Sequence, residues 1–351
     1  LLEQTHPDAL YVVVPPDGHH PLTLAAAERG IHVITEVPIS ITLPLADLMI
    51  EACRRHGVVL EVAESIQRSP REQLRQEVLR RGLIGHPTLG RMTYASGSYH
   101  GLSAVLSLLG GTPSQVWGWV HDVPTVPQVD FTGLQKSAHD WEAGLFRWPR
   151  DDASGHPGPT LLYEHPPRPA SRPLNSWEVV GTQGLSAGEE VVLVEESADR
   201  PRERRYTIQP EMTTVGGAEV LARLVLPTDP PVVWENPLLG KWTPGGPDDT
   251  GRSGDFGAAW QLISFYESIV EGKPAWYGAE AGRRDIELLI ALRDSARHGG
   301  LPVELPLREV TAHERALHET YRQTYGHDPL TDWREALAQL YPRGGITHGV
   351  L

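Results

Sequence analysis

Short apolar runs and amphipathic stretches alternate along the first part of this chain. Leu10 to Val14 holds three successive valines and is closed by Pro15-Pro16-Asp17-Gly18, a pattern that predicts a strand buried on both faces. Pro21 suits the first turn of a helix, where its missing N–H costs nothing. Gly30 suits the residue just past the end, where positive φ is needed. Ile31 to Thr35 is again short and β-branched. Two such strands joined by a helix predict a parallel, right-handed βαβ unit. In open sheets of this kind ligands gather at the carboxyl ends of the strands, which here carry Pro15 to His19 and Glu36 to Pro38.

The alternation continues. Thr42 to His56 predicts a helix with Thr42 as N-cap and Gly57 as stop, and Val58 to Ala63 a further strand. Ser69-Pro70-Arg71-Glu72 reads as a capping box opening a helix that ends at Gly82. These elements make half of a doubly wound sheet, with a boundary near Gly85. From Thr88 onward the runs turn β-like, as in Glu178 to Val180, Glu190 to Val194 and Val220 to Leu226. Two helices follow, Asp255 to Glu271 and Glu280 to His298, with apolar residues at helical spacing. The tail carries two more capping boxes, Thr311 with Glu314 and Asp332 with Glu335, and no internal repeat is found.

Composition narrows the classes. A chain of 351 residues with 40% hydrophobic content has room for two domains and a substantial core. A net charge of −14 and the lack of a basic cluster with interleaved aromatics exclude nucleic acid as the expected partner. Cys53 is the only cysteine, so no intrachain disulfide forms, and its helical site predicts a buried thiol. No apolar run reaches membrane-spanning length and no signal-like segment occurs, so the expected setting is cytoplasmic, away from membranes. The sequence opens at Leu1-Leu2-Glu3-Gln4 and runs almost directly into its first strand. No G-x-G-x-x-G follows a strand, and Gly181-Thr182-Gln183-Gly184 is too short for a phosphate cradle. The expectation is that the amino-terminal part of a nucleotide-binding sheet is absent from this sequence.

The stretch Asp8 to Pro38, DALYVVVPPDGHHPLTLAAAERGIHVITEVP, resembles a segment of the Gfo/Idh/MocA family of nicotinamide-dependent sugar oxidoreductases. LEVAESIQRSP (Leu60 to Pro70), the Gly85/Pro87 passage, WEVVGTQGLS (Trp177 to Ser186) and Phe265 to Pro306 resemble later parts of the same family in order. The resemblance implies an α/β fold. Residues 1–85 would form the carboxyl-terminal half of a Rossmann-like dinucleotide-binding domain. Residues 86–308 would form an α/β domain with a large, mostly antiparallel sheet, for substrate and oligomer contacts, and 309–351 a helical tail. It also implies NAD or NADP as cofactor, a sugar or cyclitol substrate, and a homo-oligomer formed through the open sheet face. Pro15, Pro16, His19, Glu36 and Val37 are the expected cofactor-binding residues.

The same resemblance locates the chemistry. The family uses the lysine of Glu-Lys-Pro and an Asp-x-x-x-His motif opening a helix. The matching stretches here are Glu36-Val37-Pro38 and Ser96-Gly97-Ser98-Tyr99-His100. Val37 can neither move a proton nor donate a side-chain hydrogen bond, and Ser96 stands at the aspartate position. Each loss of a positioned acid or base costs roughly a factor of 10² to 10⁴ in rate. His100 keeps its place as catalytic base, with Tyr99 beside it as a substrate contact. Against these stand plainer roles: a helix-terminal histidine bonded to backbone or water, a packed tyrosine, and for Glu36 a solvated carboxylate or a loop anchor. Gln67 replaces a residue that is often arginine in the family. Asp17, His19 and His20 do not make a metal site, because vicinal histidines seldom converge on one ion. Lys136 to Trp148 reads as a strand with solvent-facing polar residues, and Lys241, Trp242 and Asp248 as candidate contacts in a loop over the site. Three functions remain: an oxidoreductase with altered catalytic residues, a non-catalytic nucleotide- or sugar-binding homologue, or a non-redox sugar lyase using His100.

Overall fold

The computed structural model describes residues 2–95, 97–129, 135–150, 155–167, 175–197, 200–239, 254–342 and 345–346. After one short turn, α1 (Leu2–Thr5), the chain builds a parallel sheet from β1 (Ala9–Val12), β2 (His32–Thr35) and β3 (Leu60–Val62), in that order. Helices α2 (His19–Ala27) and α3 (Leu43–His56) make the connections. Gly30 and Gly57 take φ of +70° and +66° after them, as the sequence predicts. Leu24, Ala26, Val33, Met49 and Cys53 meet in the core between sheet and helices. Burial there pushes the Cys53 thiol up to about 12.

The expectation that the first strand is buried on both faces fails. Leu10 and Val12 face the helices, whereas Tyr11 is 43% and Val13 66% exposed. The reason is positional: β1 ends the sheet, and α6 (Gly254–Val270) covers only β2 and β3 on that side, through Phe265 against Ile34 and Ala63.

Helix α4 (Pro70–Arg80) then leads into β4 (Pro87–Thr93) and α5 (Ser98–Leu109). The strands that follow are β5 (Gln115–Val129), β6 (Gln135–Arg147), β7 (Thr160–His165), β8 (Ser176–Gly181), β9 (Gly184–Ala187), β10 (Glu190–Glu195) and β11 (Arg202–Thr207). They join a large sheet in the order β11-β10-β9-β8-β4-β7-β6-β5-β15, with β15 at Val303–Glu304. Within this sheet, among the described strands, only the β4–β7 pairing is parallel. A small antiparallel sheet of β12 (Gln209–Val215), β13 (Ala218–Leu226) and β14 (Val232–Glu235) lies beside it. Gly181 to Gly184 forms the tight β8–β9 hairpin turn.

The long helix α7 (Ala279–Arg297) packs against the large sheet where Gly118 and Gly144 face each other across β5 and β6. A Cβ on Gly118 would stand 2.0 Å from the Leu292 carbonyl oxygen, so glycine is what admits the helix. In the tail, α8 (Ala312–Tyr325) opens with a complete Thr311–Glu314 capping box, and α9 (Trp333–Ala336) follows.

The other two capping boxes do not form. Glu72 instead accepts from Arg75 Nη1 at 3.1 and 3.0 Å and from Trp177 Nε1 at 2.9 Å, tying α4 to the second sheet. Asp332 accepts from the Asp328 N–H at 2.9 Å. In both cases a competing donor outside the box holds the carboxylate. Among the described residues no helix is long and apolar enough to cross a membrane.

Candidate functional site

The register of the parallel sheet pairs Val12 with Thr35 and Thr35 with Val62, so the three carboxyl-terminal loops leave it side by side. These loops carry Val13–Pro16, Glu36–Pro38 and Glu64–Ile66. The first turn of α5 faces them and delivers His100. Its start is a backbone feature: Gly97 adopts φ +72°, a left-handed conformation that glycine takes without steric cost.

His100 Nδ1 lies 2.7 Å from Glu64 Oε2. Glu64 is 2% exposed, and its other oxygen accepts the Ile66 N–H at 3.0 Å. The His100 side chain is 27% exposed, and its Nε2 has no hydrogen-bond partner among the described residues. Burial works to lower the imidazole pKa. The charge of Glu64, its hydrogen bond and the charge of Glu36 outweigh that effect, and the net shift is upward. The pair is a histidine held through Nδ1 by a buried carboxylate with Nε2 left unpaired among the described residues, an arrangement that suits a general base.

Aromatic side chains surround it. The Tyr99 ring lies 4.6 Å from that of His100 and the Tyr94 ring 6.2 Å away. Burial, then the Glu64 charge, raises the Tyr94 hydroxyl to about 12, so it is a neutral donor. Behind Glu64, the Tyr277 hydroxyl donates to Asp285, and burial raises that carboxyl to about 6. The Tyr277–Gly278 segment runs alongside β3, where the Val62 N–H meets the Tyr277 carbonyl at 3.0 Å.

Glu36 is anchored rather than solvated. Tyr11 Oη donates to its Oε1 at 2.6 Å, and the Val37 N–H to its Oε2 at 3.2 Å. Val37 packs against the apolar cluster of Val12 and Val33. His19 is fully buried: Nδ1 is 3.1 Å from the Pro38 carbonyl oxygen and 3.2 Å from that of Ile39, and Nε2 is 2.9 Å from that of Val14. Burial lowers its pKa despite these carbonyls. A neutral imidazole donates through one nitrogen only, so the ring hydrogen-bonds one of these loops and packs against the other. Pro15 and Pro16 are half-buried at the mouth of the first loop.

His20 and Asp17 turn away from this space. His20 lies with its ring centroid 5.7 Å from that of Tyr321, its pKa lowered to about 3 chiefly by burial. Asp17 accepts from the Tyr325 hydroxyl of the tail. Gln67 uses its backbone carbonyl, which accepts from Gln76 at 2.8 Å.

In β6, Glu142 is buried rather than solvent-facing. It accepts from Arg293 Nε at 2.7 Å and from Tyr163 Oη at 3.2 Å, which corrects the expectation of a solvent-facing side chain there. Ser96, Lys241, Trp242 and Asp248 lie outside the described residues.

Sequence reasoning brought His100, Tyr99, Glu36 and Val37 to this place and missed Glu64, Tyr11, Tyr94 and Tyr277. Glu64 had one available signal, an acidic residue two positions past the end of an apolar strand, in a carboxyl-end loop.

Residues 1–64 match a family model described as oxidoreductase family, NAD-binding Rossmann fold (GFO_IDH_MocA). Among curated proteins, 1,5-anhydro-D-fructose reductase of Ensifer adhaerens is 34% identical over 88 residues, covering 25% of this chain and 26% of that protein. D-xylose 1-dehydrogenase [NADP(+)] of Haloarcula marismortui is 32% identical over 88 residues, 24% of each. The chain therefore matches about a quarter of the length of these curated relatives. Solved structures are similar over a far longer span. Levoglucosan dehydrogenase in complex with NADH and levoglucosan has a TM-score of 0.61 at 19% identity, over 86% of this chain and 80% of that one. An oxidoreductase domain protein from Kribbella flavida reaches 0.63 at 20% identity, over 87% and 82%. At this identity the likeness is one of fold. The strand-end loops, the two-sheet architecture and these matches agree: the chain shares the fold of these oxidoreductases, and its residues 1–64 are similar to the NAD-binding Rossmann part of the Gfo/Idh/MocA family.

Proposed function

We propose that this protein is an NAD(P)-dependent oxidoreductase of a sugar or cyclitol in which His100, backed by Glu64, takes the hydroxyl proton. The observation that carries this reading is the 2.7 Å His100–Glu64 pair at the carboxyl ends of a parallel sheet. The relatives' names, a reductase of 1,5-anhydro-D-fructose and dehydrogenases of D-apiose and D-xylose, support a sugar as substrate.

The residues present fit the nicotinamide end of a dinucleotide. Tyr11 and Val13 are exposed beside Glu36, leaving the carboxyl ends of β1 and β2 uncovered. Pro15, Pro16, Glu36 and the Val37 backbone would line that end, and His19 would hold their loops in place. A bound nicotinamide would accept the hydride. The chain's own part is to orient the sugar hydroxyl against His100 Nε2, to stabilise the resulting imidazolium through Glu64, and to wall the site with Tyr94 and Tyr99. The proton leaves the substrate oxygen for Nε2, and the proton on Nδ1 stays there, donated in a hydrogen bond to Glu64.

Val37 favours a second reading. With an apolar side chain where the family has lysine, His100 could instead take a proton from a carbon next to a carbonyl, as in a lyase without net redox change. Fluorescence titration with NADH and NADPH, followed by turnover on a sugar panel in native and His100→Ala protein, separates the readings. Cofactor binding and His100-dependent absorbance change support the first. His100-dependent turnover without that change supports the second. Binding of neither cofactor overturns the first, and binding without any turnover leaves a non-catalytic homologue. The outer face of the large sheet exposes Trp119 and Leu162 on the same side, which supports a homo-oligomer contact there.

A further inference from the structure

A cavity of about 860 Å³ opens next to the His100 site, within the size range of small-molecule pockets. The two share a wall. Tyr94 lines the cavity and lies 6.2 Å from His100, and Ser65, the neighbour of Glu64, lines it too. Trp177 supplies a second aromatic wall, 6.0 Å from Tyr94 between ring centroids.

The charge of the lining departs from that of the chain. The protein as a whole carries −14, yet Arg71, Arg75 and Arg91 line this cavity against one acid, Glu178. The three arginines are not equivalent. Arg75 is fully buried and engaged by Glu72, Ser186 and Trp177. Arg91 is paired with Glu178.

Arg71 differs. Its side chain is 14% exposed, and its one contact among the described residues is Nε to Glu72 Oε1 at 3.4 Å. Glu72 already serves Arg75 through both oxygens and Trp177 through one, so little of its charge is left to offset a second guanidinium. A mostly buried cation with so weak a counter-charge, facing a cavity, is poised for an anionic ligand. Asn175 extends the polar wall: its Oδ1 accepts the Ala95 N–H at 2.9 Å, leaving its amide donor for the cavity.

We infer that the substrate is an anionic sugar, whose carboxylate or phosphate binds Arg71 while its ring rests against the aromatic wall formed by Tyr94 and Trp177, with the reacting carbon toward His100. This rests on the sugar reading above and adds to it a charge requirement and the residue that imposes it. Arg71 is thereby a specificity-determining residue. Guanidinium binds carboxylate and phosphate alike in a two-pronged fashion, so the arginine selects the charge, and the reach of the cavity decides between the two groups.

Isothermal titration calorimetry of the full chain with glucose, glucuronate and glucose 6-phosphate provides the test. At least one of the two anions should bind about ten- to a hundredfold tighter than glucose, the range expected for a charge-assisted contact. Arg71→Gln should remove that preference, and Arg71→Lys should restore part of it. Thermal melting of both variants checks that they fold. The anion that gains identifies the group. Equal binding of all three, or a preference that survives in Arg71→Gln, overturns the inference while leaving the sugar reading intact. Binding of none of the three overturns both.

Discussion

His100 and Glu64 come from opposite sides of the site, one from the first turn of α5 and one from the loop after β3, and meet through Nδ1 and Oε2 at 2.7 Å. Burial alone would make the imidazole a weaker base, and the carboxylate reverses this. Because the folded pKa is raised above that of the unfolded chain, the pair's stabilisation is fully present below the ordinary histidine value. It is lost as pH rises through the raised one. Glu64→Gln removes the two largest raising effects, so His100 should titrate below the ordinary value in that variant. NMR titration of the imidazole protons measures this, and an unchanged midpoint would sink the assignment.

His100→Ala leaves the buried Glu64 carboxylate without its imidazole partner. It should therefore lose stability at neutral pH by roughly 1 to 3 kcal/mol, the usual cost of an orphaned buried polar group. The double variant His100→Ala/Glu64→Gln should recover much of this. Denaturant melts of the four proteins give the coupling directly, and purely additive effects would show that the contact carries no energy.

Glu61 on β3 is buried, and burial raises its pKa to about 7 against the lowering contributions of Ser264 and Arg68. The unfolded chain ionises first, so stability should fall as pH rises from the ordinary glutamate value to about 7, then level off. The expected loss is on the order of 1 to 3 kcal/mol. Glu61→Gln should flatten this slope in melting experiments at pH 5 and pH 8. A native profile already flat across that window would contradict it.

Gly118→Ala puts a methyl group into the Leu292 carbonyl, 2.0 Å from an ideal Cβ. Backbone cannot yield as a flexible side chain does, so the variant should lose roughly 3 kcal/mol or more. Gly216→Ala is a useful contrast: its Cβ meets nothing within 4 Å, and its cost is confined to a φ of +60°. Equal melting temperatures for the two variants would refute the packing account.

Glu314 accepts the Leu43 N–H at 2.9 Å through Oε1 and the Thr311 N–H at 2.8 Å through Oε2, so one carboxylate caps both α3 and α8. A single cap contributes about 1 kcal/mol, and Glu314→Ala should cost about 2 kcal/mol in a chemical melt. A loss no larger than that of Thr311→Ala would mean that the α3 contact adds nothing.

Local signals were legible wherever the deciding partner lay nearby in sequence. Gly30 and Gly57 mark their helix ends because only local backbone geometry is at stake, and Thr311–Glu314 closes its box unaided. Thr42 was legible as a position but not as a contact. It stands at the N-cap of α3, yet its hydroxyl meets His318 Nε2 at 2.8 Å, 276 residues away. Glu72 left its box for the same reason, drawn to Trp177 on the second sheet. The site divides along this line. His100 was readable from its motif, while Glu64 acquires its role only when α5 folds against β3, a pairing no local spacing encodes. The exposed face of β1 was misread because a run of valines looks the same in a sheet's interior and at its end.

The double duty of Glu314 also limits what can replace it. Aspartate offers two acceptor oxygens but is one methylene shorter, so it reaches one helix end at the expense of the other. Glutamine has the reach, yet turns one acceptor into an NH₂ group pointed at a backbone N–H. An ordinary cap tolerates serine, threonine, aspartate or asparagine. This position, serving Leu43 and Thr311 at once, tolerates glutamate alone, which makes it a narrow point in sequence space joining the tail to α3.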